Sequence, residues 1–229
     1  MEKAARKNRR EKLLTARKGK FYTVGEEIFN SVSHGAGAAL AIAGAAVLMA
    51  VAAFTFDPFK IASAALYSFC LIVMYTMSTL YHSIVNKTAK NVMRIFDHTS
   101  IFLLIAGTYT PYTLVTLRNS GYWGWSIFGV VWGCAILGIV FNAISIEKFK
   151  VFSMIAYLAM GWCVLSAILP LIKALAPGGL ILLFIGGAFY TLGITFFALT
   201  KIKFMHAIWH LFVLTGSITH FFSILFYVM

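Results

Sequence analysis

The chain has 229 residues, of which 61% are hydrophobic and only 11% charged. Soluble domains hold roughly 45–50% apolar residues, so the composition sets aside a soluble globular class and points to an all-α integral membrane protein. The formal charge of +12 invites a nucleic-acid reading, but the placement of that charge argues for a membrane surface instead.

Residues 1–20 are a basic arm without apolar periodicity. Such an arm tracks anionic head groups. No aromatic or Gly-rich pattern interleaves its charges, so nucleic acid is not expected as a partner. Residues 21–229 read as one transmembrane domain. Within it, residues 21–30 mix aromatics and carboxylates and are read as an interfacial amphipathic turn. Seven apolar blocks follow, each long enough to cross a bilayer as a helix. They are Ser31–Phe54, Ile61–Val85, Ile95–Leu117, Tyr122–Ile144, Val151–Ile172, Leu180–Leu199 and Met205–Val228. The first block starts too late, and is too long, for a cleavable signal peptide. The longest loop is read over Asn86–Arg94, so no large extramembrane ligand-binding domain is expected.

Local features refine the blocks. Gly35, Gly37, Ala41 and Ala45 in the first, and Gly129 and Gly133 in the fourth, let helix backbones approach closely, with packing inside one bundle expected over dimerisation. Pro111 and Pro170 remove backbone donors and should kink or end their helices. Tyr122, Trp123 and Trp125 open the fourth block as an interfacial aromatic belt. Cys70, Cys134 and Cys163 have apolar neighbours and read as buried small hydrophobes.

Lys87, Lys90 and Arg94 follow the second block, Lys148 and Lys150 the fourth, and Lys201 and Lys203 the sixth. With the arm, these cations share one side, and only Lys60, Arg118 and Lys173 lie on the other. The excess makes the first side cytoplasmic, with the N-terminus inside and the C-terminus outside.

That topology gives four polar residues one depth. His82 lies just before the basic band after the second block, Asp97 just after Arg94, and His206 and His210 just after Lys203. At 1.5 Å per residue all four sit about 5–10 Å in from the cytoplasmic band. Ionisable groups at membrane depth are costly and mark functional sites. His206 and His210, four apart, share a helix face. With His82 they suggest three imidazoles on one metal ion, with water in a fourth position as in catalytic zinc sites. Copper, nickel or iron suit the same ligands, and interhelical hydrogen bonding is the metal-free alternative. His206-Ala-Ile-Trp-His210 lacks the glutamate of the His-Glu-x-x-His motif, which moves the base to Asp97. Ser78, one turn from His82, is placed to contact the water or a carbonyl oxygen. His98 projects about 100° from Asp97 and is a lesser candidate. His220 is read as an interhelical hydrogen-bonding partner, or a proton relay. Glu27, Asn30 and His34, at helical spacing, are read as a supporting shell, a gate or interfacial caps.

At these residues the chain resembles a known family. Ser78-Thr-Leu-Tyr-His82, Asp97-His98 and His206-Ala-Ile-Trp-His210 look like the motif set of the progestin and adipoQ receptor (PAQR) superfamily, whose bacterial branch is hemolysin III. Glu27-x2-Asn30-x3-His34 and Ile105-Ala-Gly-Thr-Tyr-Thr-Pro111 match the same branch, and the resemblance covers about residues 22–229. It implies a seven-transmembrane helix bundle with a cytoplasmic N-terminus, in the bacterial cytoplasmic (inner) membrane. It implies zinc held by His82, His206 and His210, with Asp97 and Ser78 at water-associated positions. The wider superfamily includes alkaline ceramidases with a similar residue set, which implies hydrolysis of a ceramide-like amide in a membrane lipid. The name hemolysin records a cytolytic phenotype and not a mechanism. Two alternatives stand beside the hydrolase: a non-enzymatic sensor or regulator of membrane state with structural zinc, and a channel or cytolysin.

Overall fold

The computed structural model describes residues 22–199 and 202–229. The basic arm and Lys201 lie outside them. Among the described residues the chain is all-helical, with no strand. Helix α1 (Val24–Phe54) begins in a capping box: the Thr23 hydroxyl accepts from the Glu26 N–H, and the Glu26 carboxylate accepts from the Thr23 N–H. Most of the stretch read as an interfacial turn is therefore the first two turns of a 31-residue helix. Helix α2 (Pro58–Ser83) starts on Asp57 with proline at its first position, where the missing donor costs nothing. Helix α3 (Lys87–Pro111) starts where the Asn86 side chain accepts from the Ala89 N–H. That cap makes helix of most of the stretch read as the longest loop.

The two prolines act as expected, though not at their own positions. After Pro111 the ladder widens into a π-helical turn, Tyr112–Thr116. Helix α4 (Trp123–Ile144) is followed by α5 (Ile146–Gly161), which Ser145 caps. The chain then tightens to a 3-10 turn at Cys163–Ala167 before α6 (Ile168–Ala174), which contains Pro170. Pro170 cannot donate to residue 166, so the α ladder breaks ahead of the proline. Helices α7 (Pro177–Ala198) and α8 (Met205–Tyr227) complete the chain.

Among the described residues, six helical segments are long and apolar enough to cross a membrane: α1, α2, α4, the run Ile146–Ala174, α7 and α8. Helix α3, at the third expected span, falls outside that set because Lys87, Lys90, Arg94, Asp97 and His98 occupy its first half. From α1 to α5 each helix packs on the next, α7 packs on α8, and α8 closes the bundle against α1. Helices α5 and α7 touch only lightly.

The small residues divide in their use. A Cβ at Gly37 would come within 2.5 Å of the Tyr75 ring, and one at Gly44 within 2.9 Å of Phe221. The α1 stripe thus packs inside the bundle, as expected. Gly129 and Gly133 face open space instead. Helix α4 turns Gly138 inward, where Phe102 lies 2.2 Å from a Cβ position. Gly138 is nine residues from Gly129, two and a half turns, and so on the opposite face. Cys134 is likewise exposed, Cys163 is part-buried and only Cys70 is buried, which corrects the uniform reading of the three. At the end of the bundle away from the site, Arg118 pairs with Asp57 at 3.0 and 3.1 Å and lies over the Phe59 ring, tying two loops together.

Candidate metal centre

Two helices bring the histidines together. The last turn of α2 carries His82, and the first two turns of α8 carry His206 and His210. All three side chains are buried, and one candidate ligand nitrogen from each lies within 4.8 Å of the others. The start of α8 is fixed from α1. Phe204 ahead of it has φ +62°, and its N–H donates to Glu26 Oε1 at 2.8 Å. The carboxylate that caps α1 therefore also anchors α8 two residues before His206.

The ring nitrogens are sorted by their partners. His82 Nδ1 lies 2.7 Å from Glu27 Oε2 and 3.4 Å from Asn30 Nδ2. His210 Nδ1 faces the Asn30 carbonyl at 3.2 Å and the Ser33 hydroxyl at 3.3 Å. A carboxylate and a carbonyl only accept, so both Nδ1 atoms carry the proton and both Nε2 atoms carry a lone pair. His82 Nε2 is buried with no partner among the described residues. His210 Nε2 faces His206 Nε2 at 3.1 Å. Two zinc–nitrogen bonds of 2.0–2.1 Å at a tetrahedral angle put their nitrogens about 3.3 Å apart. Three convergent imidazoles, two of them held by acceptors on Nδ1, are the pattern by which metal-binding histidines are oriented. The donor set fits a metal ion, and imidazole alone does not select zinc among the metals it suits.

Helix α1 supplies no member of the triad yet touches two of them. Glu27 also pairs with Lys90 at 3.0 Å. The His34 ring stacks on His210 with centroids 3.6 Å apart, and its Nδ1 lies 2.7 Å from Ser78 Oγ. Tyr22, just ahead of α1, stacks on His206 at 4.8 Å and lies edge-on to His82 at 5.7 Å. Burial pushes its phenol pKa well above the usual range, so it stays neutral.

Asp97 on α3 is 5% exposed, and its carboxylate interacts with Ser78 and His98. His98 Nδ1 is 3.3 Å from Asp97 Oδ2 and also 3.0 Å from the Arg94 carbonyl. The hundred-degree offset along the helix does not keep these neighbours apart, because both side chains bend toward the same polar spot. His98 is not part of the triad. A cavity of about 130 Å³ adjoins the cluster, with His34, Asp97 and Trp209 in its wall. The triad itself stays behind that wall. His220 lies further along α8 and bonds the Leu183 carbonyl at 2.9 Å, as an interhelical partner should. Ser33, Tyr22 and Trp209 had no signal in the sequence beyond their place near the other residues.

The chain matches the family described as Haemolysin-III related over residues 22–221. It is similar to the Hemolysin-3 homolog of Bacillus subtilis (strain 168), 41% identical over 206 residues, covering 90% of this chain and 96% of that protein. Hemolysin-3 of Bacillus cereus is 42% identical over the same length, with 90% and 93% covered. The human monocyte to macrophage differentiation factor is 32% identical over 165 residues, covering 69% of this chain and 67% of its own.

Proposed function

The chain belongs to the haemolysin-III-related family, and from that membership and the geometry of the triad we propose that it is a zinc-dependent hydrolase of a ceramide-like lipid amide. In this reading α3 is a seventh span that buries its polar half in the bundle. The N-terminus lies in the cytoplasm and the C-terminus outside, so the site sits near the cytoplasmic face of the bacterial inner membrane. The distribution of Lys and Arg supports that orientation.

The observation that carries the reading is the convergence of one ring nitrogen each from His82, His206 and His210 beside a cavity with Asp97 in its wall. His82, His206 and His210 would hold the zinc. When bound, zinc supplies a Lewis acid that polarises a carbonyl and lets water ionise near neutral pH. Asp97 accepts the proton of the attacking water. Ser78, 2.7 Å from His34 Nδ1, donates its hydroxyl proton to Asp97 in the resting site and would turn it to the carbonyl oxygen of a bound amide. The cavity wall keeps bulk water from the acyl chain.

The test is metal analysis with lipid mass spectrometry on wild type and Asp97→Ala. Retained zinc with lost product supports the assignment. Unchanged product in Asp97→Ala, or turnover by a metal-free variant, refutes it. A second reading makes the metal structural and the protein a sensor of membrane state. It is favoured by one feature: α2 and α8 both pack on α1 but not closely on each other, so a shared ion would join them. That reading predicts a lower melting temperature in His210→Ala and no lipid cleaved by wild type.

A further inference from the structure

The cavity does not end at the imidazole cluster. Its wall runs along α3 from Asp97 to Tyr112, and along α7 from Phe197 back to Leu183. Fifteen residues of helix give it a length of about 22 Å. Mostly apolar side chains line that length, enough to lie along a single extended hydrocarbon chain.

The far end of the cavity is not wholly apolar. His220 stands in its wall and is 7% exposed. Its Cδ2–Nε2 edge rests against Gly186, where a Cβ would meet it at 2.2 Å, and Nε2 bonds the Leu183 carbonyl. The carbonyl can only accept, so the ring proton is on Nε2 and Nδ1 carries the lone pair. That Nδ1 is buried and has no hydrogen-bond partner among the described residues. Bridging α7 and α8 needs only Nε2, so the bridge does not account for the open acceptor. The other polar groups of this stretch are committed: the Tyr112 hydroxyl to Ser223 and the Tyr190 hydroxyl to Ser217, each at 2.7 Å. A buried acceptor without a donor is a standing cost that a bound donor removes.

We propose that the far end of the cavity is a hydroxyl subsite, in which His220 Nδ1 accepts a hydrogen bond from a hydroxyl near the end of an acyl chain. The ligand class is then a long-chain amphiphile with a polar head toward Asp97 and a hydroxyl at its other end. His220 lies ten residues beyond His210, so head and hydroxyl are about 15 Å apart. The subsite depends on neither metal nor bond cleavage. A protein that binds such chains but cleaves nothing would overturn the hydrolase reading and leave the subsite standing. A protein that cleaves lipid amides with no preference for the hydroxyl would do the reverse.

The test measures binding of dodecanoate, ω-hydroxydodecanoate and ω-methoxydodecanoate to the purified full chain in detergent. The methoxy compound keeps the oxygen but has no proton to donate. Wild type should favour the hydroxy chain over both others, relative to their partition into micelles, on the order of fivefold, the effect of one neutral hydrogen bond. In His220→Gln the side-chain amide can still donate to Leu183, but the acceptor at Nδ1 is gone. That variant should bind dodecanoate as wild type does and lose the preference. Equal binding of the hydroxy and methoxy chains to wild type, a preference that survives in His220→Gln, or no binding of any chain would each overturn the proposal. The wild-type comparison of hydroxy with methoxy decides the matter even if His220→Gln does not fold.

Discussion

Replacing Glu27 with alanine removes the carboxylate that holds His82 Nδ1 at 2.7 Å. The His82 side chain is 0% exposed and that of Glu27 21%, so the bond is charge-assisted but touched by water on one side. Such bonds contribute about 1.5–3 kcal/mol, and partial exposure places this one in the lower half of that range. At 1.4 kcal/mol per tenfold, metal affinity should fall roughly 10–30-fold. That agrees with the 10–100-fold typical when a partner behind a metal-bound histidine is removed, on the order of magnitude that matters here. Glu27→Gln keeps an acceptor for the ring proton and should lose less than about fivefold. Competition against a chelating indicator, on protein in detergent near neutral pH, reads these constants directly. Wild-type affinity in Glu27→Ala would refute the argument that α1 orients the site.

Further outcomes follow from other contacts. His210→Ala should abolish metal binding and lower the melting temperature, and chelator treatment of wild type should reproduce most of that drop. Gly37→Ala drives a methyl into the Tyr75 ring and should cost about 1–3 kcal/mol, whereas Gly129→Ala meets open space and should be neutral or slightly stabilising, as thermal melts in detergent would read. The Arg118 guanidinium hydrogen-bonded to Asp57 holds that carboxyl below the usual range. Its folded pKa is thus below its unfolded one, so the pair stabilises fully above the unfolded value and loses that effect as pH falls through the folded value. The melting-temperature gap between wild type and Asp57→Asn should therefore be widest near neutrality and shrink as pH falls below about 4.

Much of the bundle and the outline of the site could be read from residue pattern. The histidine spacing and the depth match with Asp97 have local signatures. What could not be read has no such signature. The acceptor behind His210 is the backbone carbonyl of Asn30, and any residue carries one. The start of α1 looked like an interfacial turn because Glu26 and Glu27 are charged, yet one caps the helix and the other meets His82. Helix α3 is long enough to span but too polar by composition, because it brings Asp97 and its neighbours to the cluster. The unused face of α4 differs from the packed face of α1 only in what lies opposite, which sequence spacing does not specify. The cavity arises where α5 and α7 fail to pack closely, a property of two distant segments together.

The central claim is that one metal ion is held by His82, His206 and His210. Metal stoichiometry with X-ray absorption on the purified full chain tests it most directly. Wild type should hold one zinc per chain with imidazole nitrogen scatterers, lost in the alanine variant of each of the three histidines and retained in His98→Ala. Wild-type metal content in the His82, His206 and His210 triple alanine variant, or no metal in wild type after zinc reconstitution, would contradict it.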